Sequence, residues 1–193
     1  MQQKKIKLAL VYGSAREGRF CDTVAEWAIR QMAGDGRFEL QLIDPATMAP
    51  PGWDMKQDAP ERQDLAQRVG WADAFLVVTP EYNHGYPAAL KHLIDAVYSE
   101  WQAKPVAFIS YGGISGGLRA VEQLRQVFAE LHAVTMRDSV VLPNTRTLFD
   151  AEGRMIEPEA PRKTLGFVLS RLHWWAVALR DARQAQDYAA LAA

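Results

Sequence analysis

The sequence is poor in several features that would assign it to a common class. Its single cysteine in 193 residues excludes an internal disulfide and a metal site built from several thiolates. No apolar run approaches the roughly 20 residues of a membrane-spanning helix, and residues 1–5 carry no secretion signal core. The formal net charge of −1 provides no basic excess for nucleic acid or for an acidic membrane surface. These absences predict a soluble cytoplasmic protein that binds neither nucleic acid nor membrane.

What the sequence does contain is a regular alternation of strand and helix patterns. Five apolar segments are typical of strands, at residues 6–12, 38–43, 74–78, 106–110 and 135–142. Segments whose apolar residues recur at helical spacing lie between these strands and after the last one. They begin after residue 20, cover 61–70 and 88–101, begin at 118 and cover 163–188. Alternation of this kind predicts one α/β domain, residues 1–193, with a parallel sheet and helices on both faces.

The number of strands also predicts their order. Five strands that start near the amino terminus fit the flavodoxin-like order 2-1-3-4-5, in a three-layer α/β/α arrangement. In that order the topological switch point lies between strands 1 and 3, which is where such folds bind FMN. Three strand-end loops, residues 13–19, 79–86 and 111–117, are then expected to meet at one crevice.

The first of these loops has the chemistry of an anion site. Gly13 begins a turn that opens a helix, and Ser14, Arg16 and Arg19 add a hydroxyl and two guanidinium donors. No Gly-Lys-Ser/Thr follows, and only Gly13 and Gly18 are present, which excludes a P-loop and a Gly-x-Gly-x-x-Gly loop. The pattern favours a monophosphate, and the alternative is an ordinary turn with solvated arginines.

The second loop, residues 79–87, follows a fully apolar strand. Pro80 and Pro87 stiffen its two ends, and Asn83 and Gly85 tolerate positive φ. These residues predict a rigid ledge of main-chain donors and acceptors, with the flat face of Tyr82 beside it. Such a ledge suits a planar heterocycle with polar edges.

The third loop is rich in glycine. Gly112 and Gly113 allow a ring or a sugar chain to approach the main chain closely, and Ser115 adds a hydroxyl. A plain glycine-rich entry to a helix is the alternative.

Four further residues attract attention for their side chains. Cys21 reads as a small packed apolar group rather than a reactive thiol. Glu81 is interpreted as a carboxylate that fixes its own turn, with a general acid as the alternative. His84 contacts substrate or simply lies on a surface turn, and Trp53, in the long proline-rich loop, is placed to cover a flat ligand.

These motifs resemble those of the NAD(P)H-dependent FMN reductases of flavodoxin-like fold, which are related to bacterial quinone, chromate and azo-dye reductases. The resemblance covers about residues 5–145 in order and spacing. It is carried by Gly13, Ser14 and Arg16, by Pro80-Glu81-Tyr82-Asn83 with Gly85, Pro87, Leu90, Lys91 and Asp95, and by Gly112-Gly113 with Gly116-Gly117.

The resemblance implies a role for each loop. The FMN phosphate is expected to bind Ser14, Arg16, Arg19 and the main-chain N–H of Phe20. The isoalloxazine edge is expected to meet Pro80, Glu81, Tyr82 and Asn83, and its other side to lie along Tyr111, Gly112 and Gly113. No catalytic side chain is expected, because the FMN carries the chemistry. A homodimer or homotetramer, with the partner covering part of each site, is also implied.

Three functions are compatible with such a site. The first is an NAD(P)H-dependent reductase that passes hydride from NADPH or NADH to FMN, and then to a small-molecule acceptor such as flavin, quinone or azo dye, with ping-pong kinetics. The second is a flavodoxin-type electron carrier, although carriers of that type are usually acidic and this chain is nearly neutral. The third is a binding domain on the same scaffold that holds no flavin.

Overall fold

The structure is a computed structural model that describes residues 4–47 and 59–192. Its strands are β1 (Ile6–Tyr12), β2 (Phe38–Ile43), β3 (Ala74–Pro80), β4 (Pro105–Tyr111), β5 (Val134–Thr135) and β6 (Val140–Leu142). Its α-helices are α1 (Cys21–Met32), α2 (Pro60–Trp71), α3 (Ala88–Asp95), α4 (Leu118–Glu130) and α5 (Glu159–Ala185). Short 3-10 helices cover Pro45–Thr47, Ser99–Trp101, Thr145–Thr147 and Ala189–Ala192.

All strand pairs are parallel, in the order β2-β1-β3-β4-β5, with β6 also paired to β4. The prediction of a flavodoxin-like α/β fold with order 2-1-3-4-5 is therefore confirmed. Parallel strands need long crossovers, and the helices between them supply those crossovers.

The predicted fifth strand, residues 135–142, is wrong as a continuous element. The structure has two short strands there, which pair with the start and the end of β4. Between them Arg125 donates hydrogen bonds to the carbonyls of Met136 and Arg137, at 2.5 and 2.9 Å. Those carbonyls are satisfied by a guanidinium rather than by a neighbouring strand, and the ladder is interrupted.

The sheet is covered on both faces, as predicted. Ile6, Leu8 and Leu10 of β1 point into the cluster that holds α1 and α5, whereas Ala9 and Val11 point into the cluster that holds α2, α3 and α4. This alternation follows from the two-residue period of a strand and explains why β1 is apolar throughout.

Two helix boundaries differ from those predicted. The helix expected over 88–101 ends at Asp95, and a 3-10 turn carries Trp101 into the core, where its Nε1–H donates to the carbonyl of Ile94 at 3.1 Å. The closing helix runs over Glu159–Ala185 rather than 163–188. Trp53 lies outside the described residues. Within the described ranges, no helix combines the length and apolar character that crossing a membrane requires.

Candidate functional site

A cavity of about 630 Å³ opens at the carboxyl edge of the sheet. Residues 16–20, 80–82 and 111–113 line it and belong to the loops expected from the sequence. A further lining segment, residues 144–147, was not predicted. Cavities of this volume are typical of sites for drug-sized ligands and cofactors.

Gly13 sets the path of the first loop. Its N–H donates to the carbonyl of Val78 at 2.7 Å, and a Cβ at this position would lie 2.7 Å from that same oxygen. Only glycine allows β1 and β3 to approach so closely where β1 ends. Ser14 follows and is fully buried, with its Oγ 2.9 Å from the Tyr82 hydroxyl. Ser14 therefore joins the first loop to the second.

Arg16 keeps its charge available. Its guanidinium lies over the ring of Tyr82, 3.6 Å from the ring centre, and within the described ranges it has no carboxylate partner. A stacked guanidinium retains N–H groups at its edges for an anion.

Arg19 is placed differently. Its guanidinium makes two hydrogen bonds to Asp44, at 2.6 and 2.5 Å, and pairs with Asp22 at 2.8 Å, and the side chain is only 8% exposed. Burial opposes ionisation of Asp44, but the Arg19 guanidinium outweighs it and holds the pKa of that carboxyl below its usual value. Arg19 also donates to the carbonyl of Ser14. Its charge is balanced within the protein, and it supports the shape of the loop.

Helix α1 begins at this loop. Phe20 is its N-cap, no side chain caps the helix, and the Phe20 N–H has no hydrogen-bond acceptor among the described residues. Cys21 is fully buried, as predicted, and its thiol donates to the carbonyl of Val78 at 3.4 Å. Burial raises the pKa of the Cys21 thiol. The start of α1 thus presents an unpaired N–H and the positive end of a helix dipole.

The second loop is a tight turn after β3. Tyr82 and Gly85 exchange main-chain hydrogen bonds of 2.9 and 3.0 Å, and the positive φ values fall on Asn83 and His84. The positive φ that was considered possible at Gly85 therefore occurs at His84 instead. Pro80 and Tyr82 line the cavity, whereas Asn83 is exposed outside its lining. The predicted contact between Asn83 and a ring edge stays a prediction.

Glu81 anchors this turn to the next helix. Its carboxylate is 7% exposed, lies 2.5 Å from the Arg119 guanidinium and accepts the main-chain N–H of Arg119 at 3.2 Å. Burial would raise the pKa of Glu81, but hydrogen bonds from Ser115 and Arg119 lower it. An ionised carboxylate held in this way fixes the turn, in agreement with the preferred interpretation of this residue.

The third loop is joined to the unpredicted fourth segment. Gly112 donates to the Thr145 hydroxyl at 2.9 Å, and its carbonyl accepts the Thr145 N–H at 3.0 Å. Gly113 accepts the N–H of Asn144 at 2.8 Å, and Asn144 takes a left-handed conformation with φ 46°. This turn brings Thr145, Arg146 and Thr147 to the cavity. The signal available for this segment was a run of polar residues, 144–147, which begins one proline after the last strand.

Tyr111 contributes its ring to the same wall. It is 5% exposed and lies 6.4 Å from the Phe20 ring, centre to centre. Burial, with the nearby Cys21 thiol, strongly raises the pKa of Tyr111, which keeps the phenol neutral. The cavity therefore combines aromatic faces with cations and an unpaired helix start, and these groups fit a flat ring that carries a phosphate.

Comparisons with known proteins agree with this chemistry. Residues 6–147 match the family model for NADPH-dependent FMN reductase. The chain is 32% identical over 151 residues to an NAD(P)H-dependent FMN reductase of Schizosaccharomyces pombe, covering 72% of this chain and 75% of that protein. It is 31% identical over 186 residues to a 2-hydroxy-1,4-benzoquinone reductase of Burkholderia, covering 92% and 98%.

Among solved structures, the flavoenzyme NAD(P)H:acceptor oxidoreductase FerB of Paracoccus denitrificans superposes with a TM-score of 0.72 at 24% identity, covering 90% of this chain and 98% of that one. This likeness supports the fold. The resemblance inferred from the sequence is thus confirmed: the chain belongs to the NADPH-dependent FMN reductase family, and it is an oxidoreductase that uses FMN and NAD(P)H.

Proposed function

We propose that the protein passes hydride from NADPH or NADH to a second small-molecule acceptor, such as a flavin, a quinone or an azo dye, by a ping-pong mechanism. The observation that carries this proposal is the cavity at the carboxyl edge, where aromatic walls meet Arg16 and Arg146, which pair with no carboxylate among the described residues. FMN, when bound, supplies the redox chemistry by accepting the hydride and releasing the electrons to the acceptor.

The protein's own groups have separate tasks in this proposal. Arg16 and the N–H of Phe20 would hold the phosphate, with Ser14 and Arg19 fixing the loop that presents them. A charged guanidinium and a helix start act on the same anion because both are positive in sign.

The flat part of the cofactor would lie between the two remaining loops. Pro80, Glu81, Tyr82 and Asn83 would meet one edge, and Tyr111, Gly112 and Gly113 the other. The ion pair between Glu81 and Arg119 supports this placement because it holds the second loop against the start of α4. Main-chain N–H groups at such edges stabilise negative charge on a reduced ring.

The acceptor class also has support in the names of relatives. A Burkholderia relative is a 2-hydroxy-1,4-benzoquinone reductase, and a Pseudomonas putida relative, 29% identical over 164 residues, is a quinone reductase. An open cavity that serves a nicotinamide and an acceptor in turn requires no further catalytic side chain. Ping-pong kinetics follow if both use the same face.

The test is an anaerobic titration of the FMN-loaded protein with NADPH or NADH, followed by addition of a benzoquinone. We expect one equivalent of NADPH or NADH to bleach the oxidised flavin band and the quinone to restore it. Steady-state rates should give parallel lines in double-reciprocal plots. Failure of both nicotinamides to bleach the band would contradict the proposal and favour the electron carrier.

We further propose a homodimer or homotetramer whose partner subunit covers part of the cavity. Ile114, within the glycine-rich loop beside the cavity, is 92% exposed, and Leu118, directly after that loop, is 47% exposed. Exposed apolar side chains grouped near a site support a protein contact there. A monomer in light scattering of the FMN-loaded protein would contradict this. The cytoplasmic location stays a prediction.

A further inference from the structure

The arginines around the cavity differ in whether their charge is already balanced. Arg19 is paired with Asp44 and Asp22. Arg16 and Arg146 line the same cavity, and neither has an ion pair to any carboxylate in the part of the chain that the structure describes. Arg146 belongs to the segment that the sequence did not indicate, residues 144–147.

The main chain beneath Arg146 is held firmly. Arg146 lies in the 3-10 helix Thr145–Thr147, and Thr145 is 3% exposed. The Thr145 hydroxyl donates to the carbonyl of Leu142 at 2.6 Å and accepts the N–H of Gly112 at 2.9 Å. The Cα of Arg146 is therefore fixed to the glycine loop, while its side chain is exposed to the cavity.

The guanidinium of Arg146 lies near the start of α1. It is 5.5 Å from the centre of the Phe20 ring, and Phe20 carries the unpaired main-chain N–H at the beginning of that helix. Within the described residues the Arg146 side chain makes this ring contact and no hydrogen bond. Its donors remain available to an anion at the helix start.

We propose that Arg146 binds the phosphate of FMN together with Arg16, in the role that the sequence suggested for Arg19. This inference rests on the proposed function of the cavity. A phosphate monoester carries about −1.5 to −2 charges at pH 7. Arg16 and Arg146 together match that charge, whereas the charge of Arg19 is cancelled by two carboxylates. Glu17, which also lines the cavity, opposes the anion and increases the need for a second free cation.

The phosphates of the nicotinamide dinucleotide are a second possible target for Arg146. The position over Phe20 favours the FMN phosphate, because that residue opens the helix at which the monophosphate is expected. The two targets are separated by measuring flavin binding without any nicotinamide.

The experiment titrates flavin-free full-length protein with FMN and with riboflavin, which lacks the phosphate, following flavin fluorescence. Arg146→Gln should weaken FMN binding roughly tenfold to a hundredfold, the usual range for losing a hydrogen bond to a charged group. Riboflavin binding should change by less than about twofold. Arg146→Lys should fall between Gln and the wild type, because it keeps the charge but loses the planar fork.

Arg162→Gln is the matched control, because Arg162 is an exposed arginine of α5 with a side chain 65% exposed. It should leave both affinities unchanged. Urea unfolding of each flavin-free variant checks that the substitution has not changed the fold.

Two results would overturn the inference and leave the proposed function in place. In one, Arg146→Gln binds FMN as well as the wild type while Arg16→Gln does not. In the other, Arg146→Gln raises only the KM for NADPH. Wild-type protein that binds neither flavin would instead reject the proposed function, and the inference with it.

Discussion

The two edges of the sheet both collect positive side chains, but they use them differently. At the amino edge, Lys104 is 6% exposed and donates to the carbonyls of Val69 and Gly70 at 2.8 and 3.2 Å. Arg183 donates to the carbonyl of Ala103 at 2.6 Å. Both of these cations are engaged with main-chain carbonyls, and Arg183 also pairs with Asp73 at 3.3 Å.

At the carboxyl edge Arg19 is engaged in a similar way, but Arg16 and Arg146 donate no side-chain hydrogen bond to any of the described residues. Arg16 and Arg146 lie over aromatic rings, and the N–H of Phe20 has no acceptor among the described residues. The difference follows from helix direction. Helices end at the amino edge and leave carbonyls that cations satisfy, whereas they begin at the carboxyl edge and leave N–H groups that require an anion. Similar side chains therefore complete the fold at one edge and remain available for a ligand at the other.

The largest difference in stability between the two edges should come from replacing a glycine at each edge with alanine. Gly117, at the start of α4, has φ 87°, and a Cβ there would lie 2.8 Å from the Ser110 Cβ and 2.9 Å from the Tyr111 nitrogen. Gly117→Ala should lower the free energy of unfolding by about 3 to 4 kcal/mol, through left-handed strain and overpacking.

Gly70, in α2 at the amino edge, is the matched control. A Cβ there would meet nothing closer than 3.9 Å, so Gly70→Ala should stabilise by about 0.5 to 1 kcal/mol. Urea unfolding of both variants measures the two values. Equal effects at the two positions would contradict the close approach at the carboxyl edge.

The amino edge should show a pH dependence that originates in Lys104. Burial, with repulsion from Arg183, lowers the pKa of Lys104 from 10.5 to about 7, against the attraction of Asp73 and Glu100. That shift corresponds to at most about 5 kcal/mol, and the two carbonyl acceptors offset part of it. We expect the difference in the free energy of unfolding between Lys104→Met and the wild type to change by about 2 kcal/mol between about pH 7 and pH 10.5.

The direction of this pH dependence follows from the lower pKa of Lys104 in the folded state, which loses the proton first as the pH rises. Below about pH 7 Lys104 is charged in both states, and the folded state bears the cost of burying that charge. Between about pH 7 and 10.5 the unfolded state binds more protons, so the stability of the wild type rises with pH. Lys104→Met lacks this rise, so its stability relative to the wild type is highest below pH 7. A difference that is constant with pH would contradict the prediction, and Lys163→Met on exposed α5 is the control.

The sequence was sufficient to predict the sheet order and three of the four segments around the cavity. Each of those segments follows an apolar strand and contains glycine, serine or proline, so local pattern and topology point to the same edge. The family resemblance added the roles of the motif residues, and the family is confirmed.

Two features depended on contacts that no local pattern reveals. Arg19 was expected to be a free cation, but Asp44, 25 residues further along, neutralises it. Arg146 lay in a segment interpreted as open, residues 144–161. Its position depends on the division of the last strand into β5 and β6 and on the hydrogen bonds of Thr145 to Gly112. Both features concern which charges are balanced, a property of the folded chain, and the assignment of Arg19 to the FMN phosphate stays a prediction.

The smallest expected effect concerns a single hydroxyl at each edge. Tyr82→Phe removes the 2.9 Å contact to buried Ser14 and leaves a buried hydroxyl short of a partner, so we expect a loss of about 1 kcal/mol in urea unfolding. Tyr188→Phe removes a similar 3.0 Å contact to His132, but that contact is exposed and water replaces it, so the change should stay below about 0.5 kcal/mol. The Arg16 guanidinium retains an aromatic ring beneath it in Tyr82→Phe, so FMN affinity should fall far less than in Arg16→Gln. If the two tyrosine variants lost equal stability, the hydroxyl of Tyr82 would not hold residues 13–19 in place before FMN binds, and the shape of that loop would depend on Arg19 and the main chain.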